Sequence, residues 1–160
     1  MFSTTDLDEL THFLVKAKAV TYASGNQDYA VIPVLSGSHQ LEYLEKDLQY
    51  RDIYYGGMHF VGMETVFEKE IPIWGMSYYG GVLPNGDDED LAGMPPFLKA
   101  ALCKVPLEAP FRGPETFQMG DYSYENEIHG SILSFYGIEI IRIKGHAIYN
   151  LRYNGGLVKS

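Results

Sequence analysis

Apolar residues follow two different periods along this chain, and the switch from one to the other happens twice. Over Thr5–Val20, residues Leu7, Leu10, Phe13, Leu14 and Ala17 recur at spacings of three and four, which predicts an amphipathic helix. Thr5 or Asp6 can cap its first amides, with Asp8 and Glu9 in the first turn. Lys16 and Lys18 lie towards its end, and Gly25 stops it. Farther along, Pro95 and Pro96 introduce Phe97, Leu98, Ala101, Leu102 and Val105, a second and shorter helix closed by Pro106. After each helix come a loop and then alternating stretches that predict three strands. In the first half these are Leu41–Tyr55, Phe60–Glu68 and Ile73–Tyr79; in the second, Tyr122–Ile128, Ile132–Ile143 and Ala147–Tyr153. Tyr29–Leu35 is a candidate edge strand. Lys69-Glu70 and Lys144-Gly145 mark turns, and Gly80-Gly81 and Gly155-Gly156 read as turns that end strands. Pro84–Gly93, with Asn85-Gly86 and four acids, reads as a solvated linker.

The strand patterns repeat. Phe60, Gly62, Glu64, Lys69, Ile73, Tyr78, Gly80 and Gly81 recur, 75 positions on, as Phe135, Gly137, Glu139, Lys144, Ile148, Tyr153, Gly155 and Gly156. Asp47, Tyr50 and Gly56 recur one position earlier in register, as Asp121, Tyr124 and Gly130. Trp74 matches Tyr149, and Phe13-Leu14 matches Phe97-Leu98. Self-similarity at a long period points to one supersecondary unit used twice. A half-chain of this length would be marginal alone, since a domain of about 60 residues buries only roughly 60% of its surface. Two halves, 1–83 and 84–160, are therefore expected to share one core as a single domain.

Composition narrows the function. The net charge is −9, with 12 Lys and Arg scattered along the chain, so no basic face is available for a phosphate backbone and no nucleic-acid partner is expected. One cysteine, Cys103, excludes an intrachain disulfide; it falls in the second apolar helix and reads as a packed small side chain. No signal segment and no long apolar run are visible, so a cytoplasmic protein without a membrane partner is expected. His12, His39, His59, His129 and His146 never fall at metal-ligand spacing, and no glycine-rich loop leads into a helix with a phosphate-binding lysine. Neither a metal nor a cofactor is expected.

Alternation places Phe60, Gly62, Glu64 and Val66 on one side of a strand, and Phe135, Gly137, Glu139 and Ile141 on its copy. A carboxylate thus sits mid-strand among apolar residues, twice. Tyr50, Trp74 and Tyr78 share its surroundings in the first half, and Tyr124, Tyr149 and Tyr153 in the second. Three readings are open. A part-buried carboxylate satisfied by tyrosine hydroxyls is a structural network. Rings around an acid also make a pocket for a cationic or aromatic ligand. Paired carboxylates could perform acid–base catalysis, and Ser36, Ser38, His39 and Asp52 could be pictured as a hydrolytic set, although no nucleophile elbow accompanies them. Gly62 and Gly137, two residues before each acid, mark a bulge or a close backbone approach.

Several strings together carry a resemblance: FLVKAKAVTYASG at 13–25, DIYYGGMHFVGMETV at 52–66, WGMSYYG at 74–80, PFRGP at 110–114 and LRYNGGL at 151–157. The ensemble is similar to an uncharacterised bacterial and archaeal family, domain of unknown function 5680, over nearly the whole chain. That resemblance implies no established activity; family members behind helix-turn-helix domains would suit a sensing or regulatory module. More loosely, duplicated units of a helix on antiparallel strands look like the effector-binding domains of multidrug-sensing and gyrase-inhibitor-like proteins, although no motif matches.

The expected fold is α+β, an internal duplication of an α-β-β-β unit, with an antiparallel sheet and two helices packed on it. The leading function is a non-enzymatic small-molecule-binding or regulatory domain, with Glu64, Glu139, Tyr50, Trp74, Tyr78, Tyr124 and Tyr153 as ligand-binding candidates and no catalytic residue assigned. A structural or protein-interaction module and, behind it, a hydrolase are the alternatives. Homodimerisation through an uncovered edge strand stays open.

Overall fold

The structure, a computed structural model, describes residues 4–23, 29–84 and 88–158. Helix α1 (Thr4–Lys18) runs into a π-helical turn, Ala19–Ala23. Strands β1 (His39–Glu45), β2 (Leu48–Gly56), β3 (His59–Glu68) and β4 (Ile71–Val82) follow. Then come α2 (Asp88–Ala92), α3 (Met94–Leu102), β5 (Thr116–Met119), β6 (Tyr122–Ser131), β7 (Ser134–Ile143) and β8 (His146–Leu157). All eight strands join one antiparallel sheet in the order β1-β2-β3-β4-β8-β7-β6-β5. The fold is therefore α+β, as the two periods predict.

Alternation along each strand builds the core on one face. Tyr50, Val66, Trp74 and Met76 from the first four strands, and Tyr124, Ile141, Tyr149 and Leu151 from the last four, are buried together. Leu10, Phe13, Leu14 and Ala17 of α1, and Phe97, Leu98, Ala101 and Leu102 of α3, cover them. Each large side chain buried this way contributes about 1.5–3 kcal/mol. The opposite face carries Met63, Tyr79 and Tyr136, all more than half exposed. Strands β4 and β8 meet at the middle of the sheet, where Tyr78 and Tyr153 are direct cross-strand partners.

Four expectations need correction. Among the described residues each half has four strands, not three. Lys46, at φ 54°, reverses the chain and turns Leu41–Tyr55 into the β1–β2 hairpin; Gly120, at φ 61°, does the same between β5 and β6. Tyr29–Leu35 makes a single bridge, Ala30 to Leu41, and no strand. Pro33 lacks the N–H a continuing ladder needs. Gly80-Gly81 and Gly155-Gly156 lie inside β4 and β8 and pair with β3, β7 and each other's strands. Finally, Cys103 is exposed at the C-terminal cap of α3, not packed. Asp88–Ala92 of the expected linker form α2, while Asn85-Gly86, Gly25 and the capping side chains of Thr5 and Asp6 lie outside the described residues. The turns at Lys69-Glu70 and Lys144-Gly145 are present, with positive φ at all four residues.

Gly62 and Gly137 are close approaches and not bulges, which occur instead at Val66/Phe67 and Ile141/Arg142. A Cβ on Gly62 would lie 2.4 Å from the Tyr78 hydroxyl, and one on Gly137 2.4 Å from the Tyr153 ring. Each tyrosine thus lies across a glycine of the adjacent strand. Gly62→Ala is expected to cost about 1–3 kcal/mol by displacing Tyr78. Urea unfolding measures this directly; a neutral substitution would mean the ring has room elsewhere.

Candidate functional site

All seven candidate residues are buried, at 5% exposure or less. Glu64 on β3 stands opposite Asp52 on β2 and Met76 on β4; Glu139 on β7 stands opposite Asn126 on β6 and Leu151 on β8. The strands therefore bring each acid among the rings that alternation assigns to it. What the sequence reading missed is the counter-charge.

Glu139 is saturated. Arg112, from the loop between α3 and β5, donates Nη2–H to its Oε1 at 2.7 Å and Nε–H to its Oε2 at 3.1 Å. Tyr124 donates to Oε2 at 2.7 Å and Tyr149 to Oε1 at 2.9 Å. The Tyr124 hydroxyl in turn accepts from the Gly113 amide at 3.0 Å, and Asn126 donates to the Gly113 carbonyl at 3.0 Å. Such a bidentate pair with four donors is the arrangement that makes a buried carboxylate tolerable.

Glu64 is built differently. Lys18, the last residue of α1, pairs with its Oε2 and donates to the Phe111 carbonyl at 2.8 Å. The ammonium also lies 5.9 Å from the Tyr50 ring and 5.8 Å from the Trp74 ring. Burial is the main cause of a lowered Lys18 pKa, opposed by the attraction of Glu64. The Tyr50 hydroxyl and Trp74 Nε1 find no hydrogen-bond partner among the described residues. Their counterparts, Tyr124 and Tyr149, both bond Glu139. A cavity of about 20 Å³ beside Lys18, Glu64 and Phe111 has room for one water.

Asp52 completes the cluster. It accepts from the Tyr78 hydroxyl at 2.7 Å, as Asn126 accepts from Tyr153 at 2.8 Å. Burial, and then the charge of Glu64, push its pKa up to about 7. Burial followed by Asp52 also raises the Tyr78 pKa, and burial raises those of Tyr50, Tyr124 and Tyr153. These tyrosines stay neutral, and Tyr78, Tyr124 and Tyr153 serve as donors. The sites that alternation suggests for an external cation thus hold the chain's own Lys18 and Arg112, and Arg112 lies 5.8 Å from the Tyr78 ring.

One cavity leads from the surface to this cluster. It measures about 240 Å³ and lies at the β2–β3 turn, with His39, Gly56 and Gly57 exposed at its rim, Tyr54 and Phe60 on its walls, and Tyr78 and Arg112 buried at its floor. Tyr78 is the only one of the seven candidates that lines it. The pictured hydrolytic set does not assemble through any hydrogen bond among the described residues. Ser38 donates to the Leu35 carbonyl, His39 stacks on Tyr54 at 5.0 Å, and Asp52 accepts from Tyr78.

The sequence family described as Domain of unknown function (DUF5680) matches residues 52–158, two thirds of the chain. The chain belongs to this family. No curated protein and no solved structure matches it. The matched span of this DUF5680 protein contains Arg112, Gly113, Tyr124, Asn126, Glu139 and Tyr149, together with Asp52, Glu64 and Tyr78. Lys18 and Tyr50 precede it. No helix among the described residues is long and apolar enough to cross a membrane. Nor, among those residues, is there a group of three or more His, Cys, Asp or Glu placed to hold a metal ion.

Proposed function

We propose that this DUF5680 protein is a non-enzymatic small-molecule-binding or regulatory domain of the cytoplasm, built from two related halves, 1–83 and 84–160. The observation that carries this reading is the cavity of about 240 Å³ whose ring-lined walls descend to a buried charge cluster at Tyr78 and Arg112. Concave, mostly apolar sites with a few convergent polar groups are where small ligands bind, and pockets for drug-sized ligands run at about 300–1,000 Å³. The ligand is therefore small, and cationic or aromatic. Tyr78 would touch it; Glu64, Glu139, Tyr50, Trp74, Tyr124 and Tyr153 would fix the shape and charge behind that contact. Repetition of the Tyr78–Asp52 bond as Tyr153–Asn126 supports descent of both halves from one unit.

A thermal-shift screen of small cationic and aromatic metabolites tests the proposal. A ligand at one hundred times its dissociation constant stabilises by about 2.7 kcal/mol. That stabilisation should weaken in Tyr78→Phe, which keeps the ring and removes the Asp52 bond, and in Glu64→Gln. Hits that bind both variants as tightly as the native chain would detach the cluster from binding. A second reading, an interaction module, draws on the exposed apolar side chains of the outer sheet face, Met63, Tyr79 and Tyr136.

A further inference from the structure

Phe60 and Phe135, 75 positions apart, have matching neighbours. Phe60 lies 6.0 Å from Tyr78 and 6.4 Å from Tyr149; Phe135 lies 6.2 Å from Tyr153 and 5.7 Å from Trp74. Each phenylalanine thus lies beside the repeated tyrosine of its own half, Tyr78 or Tyr153, and an aromatic residue of the other. They differ in one respect. Phe135 carries a further ring, Phe111, stacked face to face at 3.7 Å with an interplanar angle of 5°, and is 3% exposed. Phe60 is only partly buried and borders the cavity of about 240 Å³. No ring stacks on it at a comparable distance among the described residues.

The sequence gives the physical reason. Phe111 arrives on the loop ahead of β5, whereas the stretch ahead of β1, Val34 to Ser38, contains no aromatic residue. The chain covers one of two similar phenylalanines with its own ring and leaves the other facing a space. Charge then selects among rings. Three buried carboxylates, Asp52, Glu64 and Glu139, stand behind the floor against two cations, Lys18 and Arg112, and Arg112 is already bidentate with Glu139. Once Asp52 ionises, above about pH 7, an added anion meets excess negative charge there, and below that pH it finds both cations already paired with Glu64 and Glu139; a neutral or cationic ring meets neither obstacle.

We infer that the cavity at the β2–β3 turn takes a planar aromatic ligand without negative charge, stacked on Phe60 as Phe111 stacks on Phe135. This rests on the cavity being a binding site and goes further by naming the ligand class. Aromatic pairs of this geometry contribute about 0.5–1.5 kcal/mol beyond their buried area, or roughly two- to tenfold in affinity.

The test compares three probes by NMR on the native chain: benzamidine, benzoate and cyclohexylamine. Benzamidine should shift the Tyr54, Phe60 and Tyr78 ring resonances and show intermolecular Overhauser contacts to Phe60. Benzoate, which lacks the right charge, and cyclohexylamine, which lacks the ring, should each bind about tenfold more weakly or worse. Phe60→Leu should weaken benzamidine about tenfold while resonances remote from the cavity stay put. If that variant unfolds, the Overhauser contacts in the native protein decide. Cyclohexylamine binding in the cavity as well as benzamidine would overturn the aromatic requirement and leave the cavity a binding site. Equal binding of benzoate would overturn the charge selection. Silence of all three at the cavity resonances would overturn both this inference and the function it rests on.

Discussion

Asp52→Asn should stabilise the protein, and by clearly more at pH 8 than at pH 5. In the folded state Asp52 holds its proton up to about pH 7, because burial and the neighbouring Glu64 disfavour its charge. Unfolded, it releases the proton near the ordinary value of 3.8. Between those two values the native state binds the extra proton, so its stability falls as pH rises and levels off above about 7. This is the reverse of a salt-bridged aspartate with a depressed pKa, which loses stability as pH falls. The full span corresponds to about 4 kcal/mol. Asparagine keeps an acceptor for the Tyr78 hydroxyl, as Asn126 does for Tyr153 at 2.8 Å. Urea unfolding at pH 5 and pH 8 should show the variant ahead at both, with a margin about 2–3 kcal/mol larger at the higher pH. A loss at pH 8 would mean that the Asp52 charge is needed by Lys18.

Arg112→Met should be the most damaging single change. It strands the Glu139 carboxylate, fully buried, with only Tyr124 and Tyr149 as donors. Breaking a buried ion pair from one side costs about 3–5 kcal/mol, because the remaining charge is left uncompensated. At about 2–4 °C per kcal/mol for a chain of this size, the melting temperature should fall by roughly 6–20 °C. Adding Glu139→Gln removes the stranded charge; its carbonyl accepts from one tyrosine and its amide donates to the hydroxyl of the other, so the double variant should recover at least half of the loss. Calorimetry of the two variants checks both numbers. A cost below about 1 kcal/mol for Arg112→Met would show that the buried pair contributes little to stability.

Much of this architecture was legible in the residues. Period-two alternation put Glu64 and Glu139 on the buried face, and the repeat identified the rings around each. The turn between β1 and β2 was not legible, since Lys46 is a lysine in a conformation that usually announces itself with glycine; the β5–β6 turn did carry that signal, in Gly120. Lys18 and Arg112 escaped for a different reason. Their partners are 46 and 27 positions away, and nothing local encodes such a pairing. A signal for Lys18 did exist: it follows Leu14 by four positions, on the apolar side of α1, where a charge needs a buried mate. Arg112, between Phe111 and Gly113 in an otherwise apolar turn, offered less. The cavity at Phe60 could not be read at all, because it depends on which loop supplies a ring.

The pairing of β4 with β8 has a consequence for how the polypeptide is made. Ile71–Val82 leaves the ribosome long before His146–Leu157, so its open edge must wait for the final strand of the sheet. Contacts that distant fold slowly, and an unpaired edge in the meantime invites association with other nascent chains. Loss of His146–Leu157 would therefore open two edges at once in the middle of the sheet, on β4 and on β7.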